Sequence, residues 1–225
     1  MGRNARLGIF LSLLGVVAGL VIFTGMAFVR TAPPVLDFVS GHRAGQPVDL
    51  HLQTVGALGY GPHPTWVSYL TQAPDGSWVH TTEWNLPANT LIDVTLDQYD
   101  SGSPLRNPAI GLVTGVRGGA MRVNGKAVRL VDSYAGNGVA HTFTIPALGV
   151  SVPLVGVDGN AKNFCSTPAP CGSALHNTIT FSFRTPGPGQ YRWQCFVPCG
   201  LGYLYGNGGP MSTAGYMGGF LKVIA

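Results

Sequence analysis

Two cysteines four residues apart and one histidine upstream are the residues of this chain best suited to chemistry. Cys195 and Cys199 end an aromatic segment that begins at Tyr191, and His141 lies in an apolar segment well before them. Thiolate and imidazole ligands together favour copper or zinc over hard cations. No histidine follows Cys199 in the sequence. The pattern therefore predicts a soft-metal site whose set of ligands is incomplete.

The two remaining cysteines flank a short loop that contains two prolines. Cys165 and Cys171 are predicted to form a disulfide, because an exported domain permits such bonds and a bridge here would close the loop. Four cysteines allow three complete pairings, and the sequence alone does not choose among them. Whether Cys195 and Cys199 are thiols or a disulfide stays open.

An unbroken apolar segment near the N-terminus predicts a membrane anchor. It extends from Leu7 to Val29, and at ~1.5 Å per residue it is long enough to span a hydrocarbon core of ~30 Å. A cleavable signal peptide has a shorter apolar core of ~7–15 residues. Arg3 and Arg6 precede the segment, so residues 1–30 are predicted to cross the plasma membrane once, with the C-terminal domain on the extracytoplasmic side.

The rest of the chain is predicted to be a linker, residues 31–47, and one all-β domain, residues 48–225. Charged residues make up only 10% of the chain, whereas its 33 glycines and 17 prolines indicate many short strands joined by turns. Asn124-Gly125 predicts a tight hairpin. The other main strand candidates are Trp66–Leu70, Ser77–Trp84, Thr90–Leu96, Thr178–Phe183, Tyr191–Cys195 and Gly219–Ile224.

One predicted strand pair suggests where a further ligand would lie. If Thr178–Phe183 and Tyr191–Cys195 form an antiparallel hairpin about the turn at Pro186–Gly189, Cys199 lies near His176. His176 is then an alternative candidate for the missing histidine. The remaining histidines, His42, His51, His63 and His80, have no recognisable ligand partners in the sequence.

The segments around these ligand candidates resemble a cupredoxin, most of all the copper-binding domain of cytochrome c oxidase subunit II. Val139 to Val150 resembles the strand that carries the first histidine in that family, and Cys195 to Gly200 resembles its two-cysteine loop. The resemblance implies a Greek-key β-sandwich of the cupredoxin type with one N-terminal transmembrane helix. It covers the chain from about Thr81 to the end, together with the anchor.

The resemblance also implies a set of copper ligands. His141 corresponds to the first histidine, Cys195 and Cys199 to the bridging thiolates, and Val197 to the residue that offers its carbonyl oxygen. Met217 resembles the axial methionine, and Met211 is an alternative. Two positions depart from the family: Tyr203 stands where the second histidine is expected, and Gly206 stands where the methionine is expected.

Three functions are compatible with this pattern. The first is a membrane-anchored subunit of an oxidase-type respiratory complex that transfers electrons through copper, or that is structural after partial loss of the site. The second is a metal-free β-sandwich that binds a membrane partner, and the third is a carrier with one copper ion. Integral-membrane oxidase-type subunits and a soluble electron donor are the expected partners. Neither independent enzymatic turnover nor nucleic-acid binding is expected, because no hydrolytic motif and no basic reading surface is visible.

Overall fold

The computed structural model describes residues 2–24, 32–135, 137–159, 165, 168–200 and 209–225. The chain forms two compact units, Met1–Ala32 and Pro33–Ala225. The first contains helix α1, Arg3–Thr24, within which Asn4–Thr24 has a mean hydropathy of 2.5 and is long and apolar enough to cross a membrane. The part of the predicted anchor from residue 25 to residue 30 lies outside the described residues.

The second unit consists of β-strands. In chain order they are β1 Val35–Asp37, β2 Val48–Val55, β3 Ser68–Gln72, β4 Trp78–Val79, β5 Glu83–Pro87, β6 Leu91–Gln98, β7 Met121–Val123, β8 Lys126–Val128, β9 Val139–Ile145, β10 Val150–Val155, β11 Asn177–Arg184, β12 Gly189–Gln194 and β13 Gly218–Ile224. Strand β1 falls within the segment that was predicted as a linker.

The strands form two sheets, one of six strands in the order β1-β5-β13-β12-β9-β10 and one of seven in the order β4-β3-β2-β6-β11-β7-β8. Most neighbours within each sheet are distant in sequence, so the chain crosses repeatedly from one sheet to the other. This arrangement confirms the predicted fold class, an all-β cupredoxin-like sandwich preceded by one apolar helix. The predicted hairpin at Asn124-Gly125 is also confirmed, because β7 pairs with β8 across it.

Strand periodicity explains why the two sheets face each other. In β6 and β11 buried apolar side chains alternate with partly exposed polar ones, so each strand presents one apolar face to the interior. Aromatic rings join the layers: the Phe143 ring lies 5.4 Å from that of Phe181 in the opposite sheet, and the Tyr69 ring lies 4.8 Å from that of Trp193. The result is one hydrophobic core between the sheets.

The predicted hairpin between Thr178–Phe183 and Tyr191–Cys195 is wrong. Strand β11 belongs to the seven-stranded sheet, where it pairs with β6 and β7, whereas β12 belongs to the six-stranded sheet, where it pairs with β13 and β9. The Pro-Gly turn between them therefore connects two layers of the sandwich. Since β12 adjoins β9, the neighbour of the cysteine segment is the strand that carries His141.

Candidate metal centre

Two segments from different parts of the chain meet at one end of the six-stranded sheet. Strand β9 is buried over all seven residues, and Thr144 in it is paired with Gln194 of β12. Beyond Gln194 the chain leaves β12, and the backbone N–H of Cys195 donates to the carbonyl oxygen of Met217, 2.9 Å away. This register places Cys195 beside the strand that carries His141. It also places Cys195 beside Met217, the residue before β13.

The structure brings three of the predicted ligands together: His141, Cys195 and Cys199. All three side chains are buried, and their ligand atoms lie within 4.8 Å of one another. His141 Nδ1 is 2.9 Å from the Sγ of Cys199 and 3.9 Å from that of Cys195, and the two sulfurs are 3.3 Å apart. Both cysteines are free thiols. The structure therefore contains no disulfide between Cys195 and Cys199, and their sulfurs are close enough to bind one ion.

Hydrogen bonds around the cysteines hold the loop in place. The backbone N–H of Thr142 donates to the Sγ of Cys195 over 3.3 Å, and the N–H of Phe196 donates to the Oγ1 of Thr142 over 2.8 Å. The Val197 carbonyl oxygen lies 3.7 Å from the Sγ of Cys195. These contacts orient the sulfur before any ion binds.

Asp100 is a functional residue that the sequence analysis missed. Its Oδ2 lies 2.9 Å from the Nε2 of His141, and its Oδ1 accepts a hydrogen bond from the N–H of Ser101. A carboxylate behind a ligand histidine fixes the ring orientation and leaves the other nitrogen free to bind metal. A Cβ at Gly56 would lie 2.7 Å from this carboxylate, so a residue without a side chain is needed there.

The remaining predicted ligands lie elsewhere or contact the loop through their backbones. Met217 is fully buried, its carbonyl accepts from Cys195, and its N–H donates to Pro210. Met211 packs against the hydrophobic core. His176 is not in the group of three, because it lies near Asp97 on the outer face of the seven-stranded sheet. Tyr203 and Gly206 lie outside the described residues.

The predicted disulfide is present, since the structure joins Cys165 to Cys171, with their Cα atoms 5.5 Å apart. Cys171 is fixed further by Gln53, whose side chain bonds both the N–H and the carbonyl of Cys171. The hydroxyl of Tyr99 donates to the carbonyls of Cys171 and Gly172. The bridged loop is therefore held against β2 and the end of β6.

The three buried groups change one another's protonation. Burial alone would raise the pKa of the Cys195 thiol, but hydrogen bonds from Cys199 and His141 outweigh it and hold that pKa well below the usual range. The pKa of Cys199 is raised by its hydrogen bond to Cys195 and by burial. Burial would lower the pKa of His141, yet the hydrogen bonds to Asp100 and Cys195 raise it to about 9. These shifts favour a thiolate at Cys195 beside a protonated His141 when no metal is bound.

We expect the metal-free protein to keep one thiolate at neutral pH. Because the pKa of Cys195 is lowered, the thiolate absorbance at 240 nm should persist at pH 7 and disappear only as the pH falls through that lowered pKa. Replacing His141 with glutamine removes the stabilising imidazolium and should raise the midpoint of this titration. A midpoint in wild-type protein near the ordinary thiol value of ~8.5 would contradict the assignment.

Comparisons with known proteins place few constraints on the site. No protein-family model matches the chain, and no curated protein does. The copper protein rusticyanin from Thiobacillus ferrooxidans matches 84% of this chain and 82% of its own at 15% identity, with a TM-score of 0.35. A chain from a heme-copper terminal oxidase dimer matches 99% of this chain and 100% of its own at 13% identity, with a TM-score of 0.30. The chemistry of the site therefore rests on its own geometry.

Proposed function

We propose that this chain is a membrane-anchored copper protein that transfers single electrons. The observation that carries the proposal is the buried convergence of His141, Cys195 and Cys199. Two sulfurs and one imidazole nitrogen are a donor set suited to copper, and the carboxylate of Asp100 orients the imidazole. When bound, copper would supply a one-electron redox couple.

The residues of the chain would limit rearrangement during electron transfer. Cys195 is held by the N–H of Thr142 at its sulfur and by the carbonyl of Met217 at its backbone, so its position does not depend on the ion. Hydrogen bonds to a ligand sulfur also tune the redox potential of a bound metal. Met217 would be a further, weak sulfur ligand, and the Val197 carbonyl would be an oxygen donor.

We propose one copper ion per chain. A dinuclear site of the oxidase subunit II type uses two histidines, whereas the described group contains one. Tyr203 is no equivalent replacement, because a phenol is a harder ligand than an imidazole. A second ion would require a histidine from elsewhere, and His176 is engaged with Asp97 on the outer face of the other sheet.

The exposure of the loop between the cysteines supports electron exchange with a partner protein. Cys195, Val197 and Cys199 are buried, whereas Phe196 and Pro198 between them are exposed, Phe196 by 50%. The candidate ligands are thus one residue away from the domain surface, and Phe196 offers an apolar contact to a soluble donor. We propose integral-membrane oxidase-type subunits as the acceptor, with α1 as the anchor in the plasma membrane and the domain on the extracytoplasmic side.

The experiment is copper reconstitution of the full chain in detergent, with the thiols reduced beforehand. We expect one tightly held copper per chain, an intense sulfur-to-copper charge-transfer band and a reversible one-electron potential in a redox titration. Copper that is held but cannot be reversibly reduced would indicate a structural role. Two coppers per chain with a mixed-valence spectrum would contradict the one-copper assignment, and loss of all copper on dialysis would favour the metal-free binding module.

A further inference from the structure

Two extended segments, residues 105–114 and 129–134, run antiparallel and form a ribbon that reaches the candidate metal centre. Backbone hydrogen bonds of 2.7 to 3.0 Å join the segments, from the N–H groups of Leu105, Val131 and Val113 to the carbonyls of Ser133, Gly111 and Arg129, respectively. Leu105 lines the same cavity as His141 and Cys199. One end of the ribbon is therefore part of the wall around the metal-binding group.

Large apolar side chains of the ribbon are exposed. Leu112 and Leu130 stand directly opposite each other in an antiparallel bridge, so their side chains lie on the same side, 46% and 62% exposed. Burial alternates from Leu130 to Tyr134, so Tyr134 also points outward, and it is 60% exposed. Single exposed apolar residues are common, but a group of them rimmed by charges is typical of interaction surfaces.

The part of the chain that contains the ribbon is strongly basic. Residues 101–131 contain five basic residues and no acidic one, whereas residues 37–100 contain seven acidic residues and one basic residue. All five basic side chains are exposed: Arg106, Arg117, Arg122, Lys126 and Arg129. None of the five forms an ion pair with a carboxylate of the described residues, where the ion pairs join histidine to aspartate. No contact within the described residues therefore neutralises this positive charge.

Two of the arginines, Arg106 and Arg129, belong to the ribbon itself. They adjoin its exposed apolar residues, because Arg129 precedes Leu130 and the carbonyl of Arg106 accepts a hydrogen bond from the Tyr134 hydroxyl over 3.4 Å. The ribbon contains one carboxylate, that of Asp132, whose Oδ1 accepts the N–H of Tyr134 over 2.9 Å. The ribbon therefore combines exposed apolar side chains with a net positive charge.

We propose that the ribbon is a docking surface for a soluble electron-donor protein whose own contact face is acidic. The inference rests on the electron transfer proposed above. Exposed arginines steer a partner of opposite charge, and the leucines between them supply apolar contact once it arrives. A partner on the ribbon would lie next to the cavity that Leu105 shares with His141 and Cys199. Anionic lipid would be attracted by the same charges, but lipid in this position would exclude a soluble donor from this side of the centre.

The test is the binding of redox proteins of opposite charge to the copper-free full chain in detergent. An acidic plastocyanin and a basic cytochrome c are the two probes. We expect plastocyanin to bind at low salt and to lose about tenfold in affinity at ~0.15 M ionic strength, where the Debye length is ~8 Å. Cytochrome c should not bind measurably. Arg106→Glu and Arg129→Glu together should weaken plastocyanin binding at low salt by about tenfold or more.

Arg192→Glu and Lys222→Glu together are the matched control, because they reverse two exposed charges on β12 and β13, outside the ribbon; plastocyanin affinity should be unchanged. Leu112→Ser and Leu130→Ser together should weaken binding at both salt concentrations, since salt does not screen apolar contact. Circular dichroism establishes that each variant is folded. Absent plastocyanin binding, equal binding of cytochrome c, or binding that survives reversal of the two ribbon arginines would overturn the proposal.

Two further measurements separate the ribbon from its alternatives. In nanodiscs, quenching of the indole added by Tyr134→Trp by brominated anionic lipid, beyond the quenching of the wild-type chain, would place the ribbon on the membrane and overturn the proposal. Copper reconstitution is scored separately, because docking is measured without copper. A chain that binds plastocyanin through its arginines but holds no copper would contradict the proposed electron transfer and keep the acidic partner, whereas redox-active copper without plastocyanin binding would remove the docking surface alone.

Discussion

Replacing Cys195 with serine is expected to abolish copper binding. The Sγ of Cys195 is fully buried, receives an N–H from Thr142, and lies within 3.9 Å of both His141 Nδ1 and Cys199 Sγ, so no other sulfur can take its position. A serine hydroxyl is a harder and far less acidic donor than a thiol. Copper per chain after dialysis should fall to background, and the charge-transfer band should disappear.

Two comparisons make this experiment specific. The double variant Cys165→Ser, Cys171→Ser removes sulfur atoms from the disulfide loop instead, and it should retain the copper and the visible spectrum. Asp100→Asn keeps the shape of the side chain behind His141 while removing its charge, and it should weaken copper binding by about 10–100-fold without changing the stoichiometry. Full copper retention in Cys195→Ser would remove the site assignment.

Replacing Trp193 with alanine is expected to produce the largest loss of stability. Its indole is fully buried, stacks against the rings of Trp84 at 5.1 Å and Phe143 at 5.2 Å, and donates its N–H to the carbonyl of Thr82. Removing a fully buried tryptophan costs about 3–5 kcal/mol through lost burial and the cavity that remains. The free energy of unfolding, measured by denaturant titration, should fall by that amount.

Trp78→Ala is the matched control for this loss. Trp78 is only partly buried and lies on β4, a two-residue strand at the edge of the seven-stranded sheet. Its removal leaves no enclosed cavity, so the free energy of unfolding should fall by clearly less. Equal losses in the two variants would mean that the stack of Trp193, Trp84 and Phe143 is not the centre of the folding core.

Local patterns predicted many of the strands but not which strands pair, and Ser77–Trp84, predicted as one strand, is divided between β4 of one sheet and β5 of the other. The Asn124-Gly125 turn joins neighbouring strands because a two-residue loop brings the strands on either side of it together. The turn at Pro186–Gly189 looked equally local, yet β11 and β12 bury their apolar residues from opposite layers of the sandwich. A turn signal does not distinguish a hairpin from a connection between sheets, because long-range packing decides between them.

The cysteine spacing and the resemblance identified His141, Cys195 and Cys199, but Asp100 had no comparable signal. It follows β6 without a motif, and its contact with His141 arises only because the end of β6 and the start of β9 lie close together in the folded chain. The contacts of His51 were missed for the same reason. Its partners, Gln72 and Asp97, come from β3 and β6, and only the strand order of the folded sheet brings them together.

The position of the cysteine loop has a consequence for protein engineering. Cys195, Val197, Cys199 and Met217 all lie in the stretch between Gln194 and Gly218, and these two flanking residues face each other across adjacent strands. His141 is the one ligand candidate of the group supplied from another part of the sequence. Most of the candidate ligands therefore lie in one segment between two paired strands. Replacing this segment with a loop of different length or different ligands would change the metal that is bound and leave the strands of both sheets as they are.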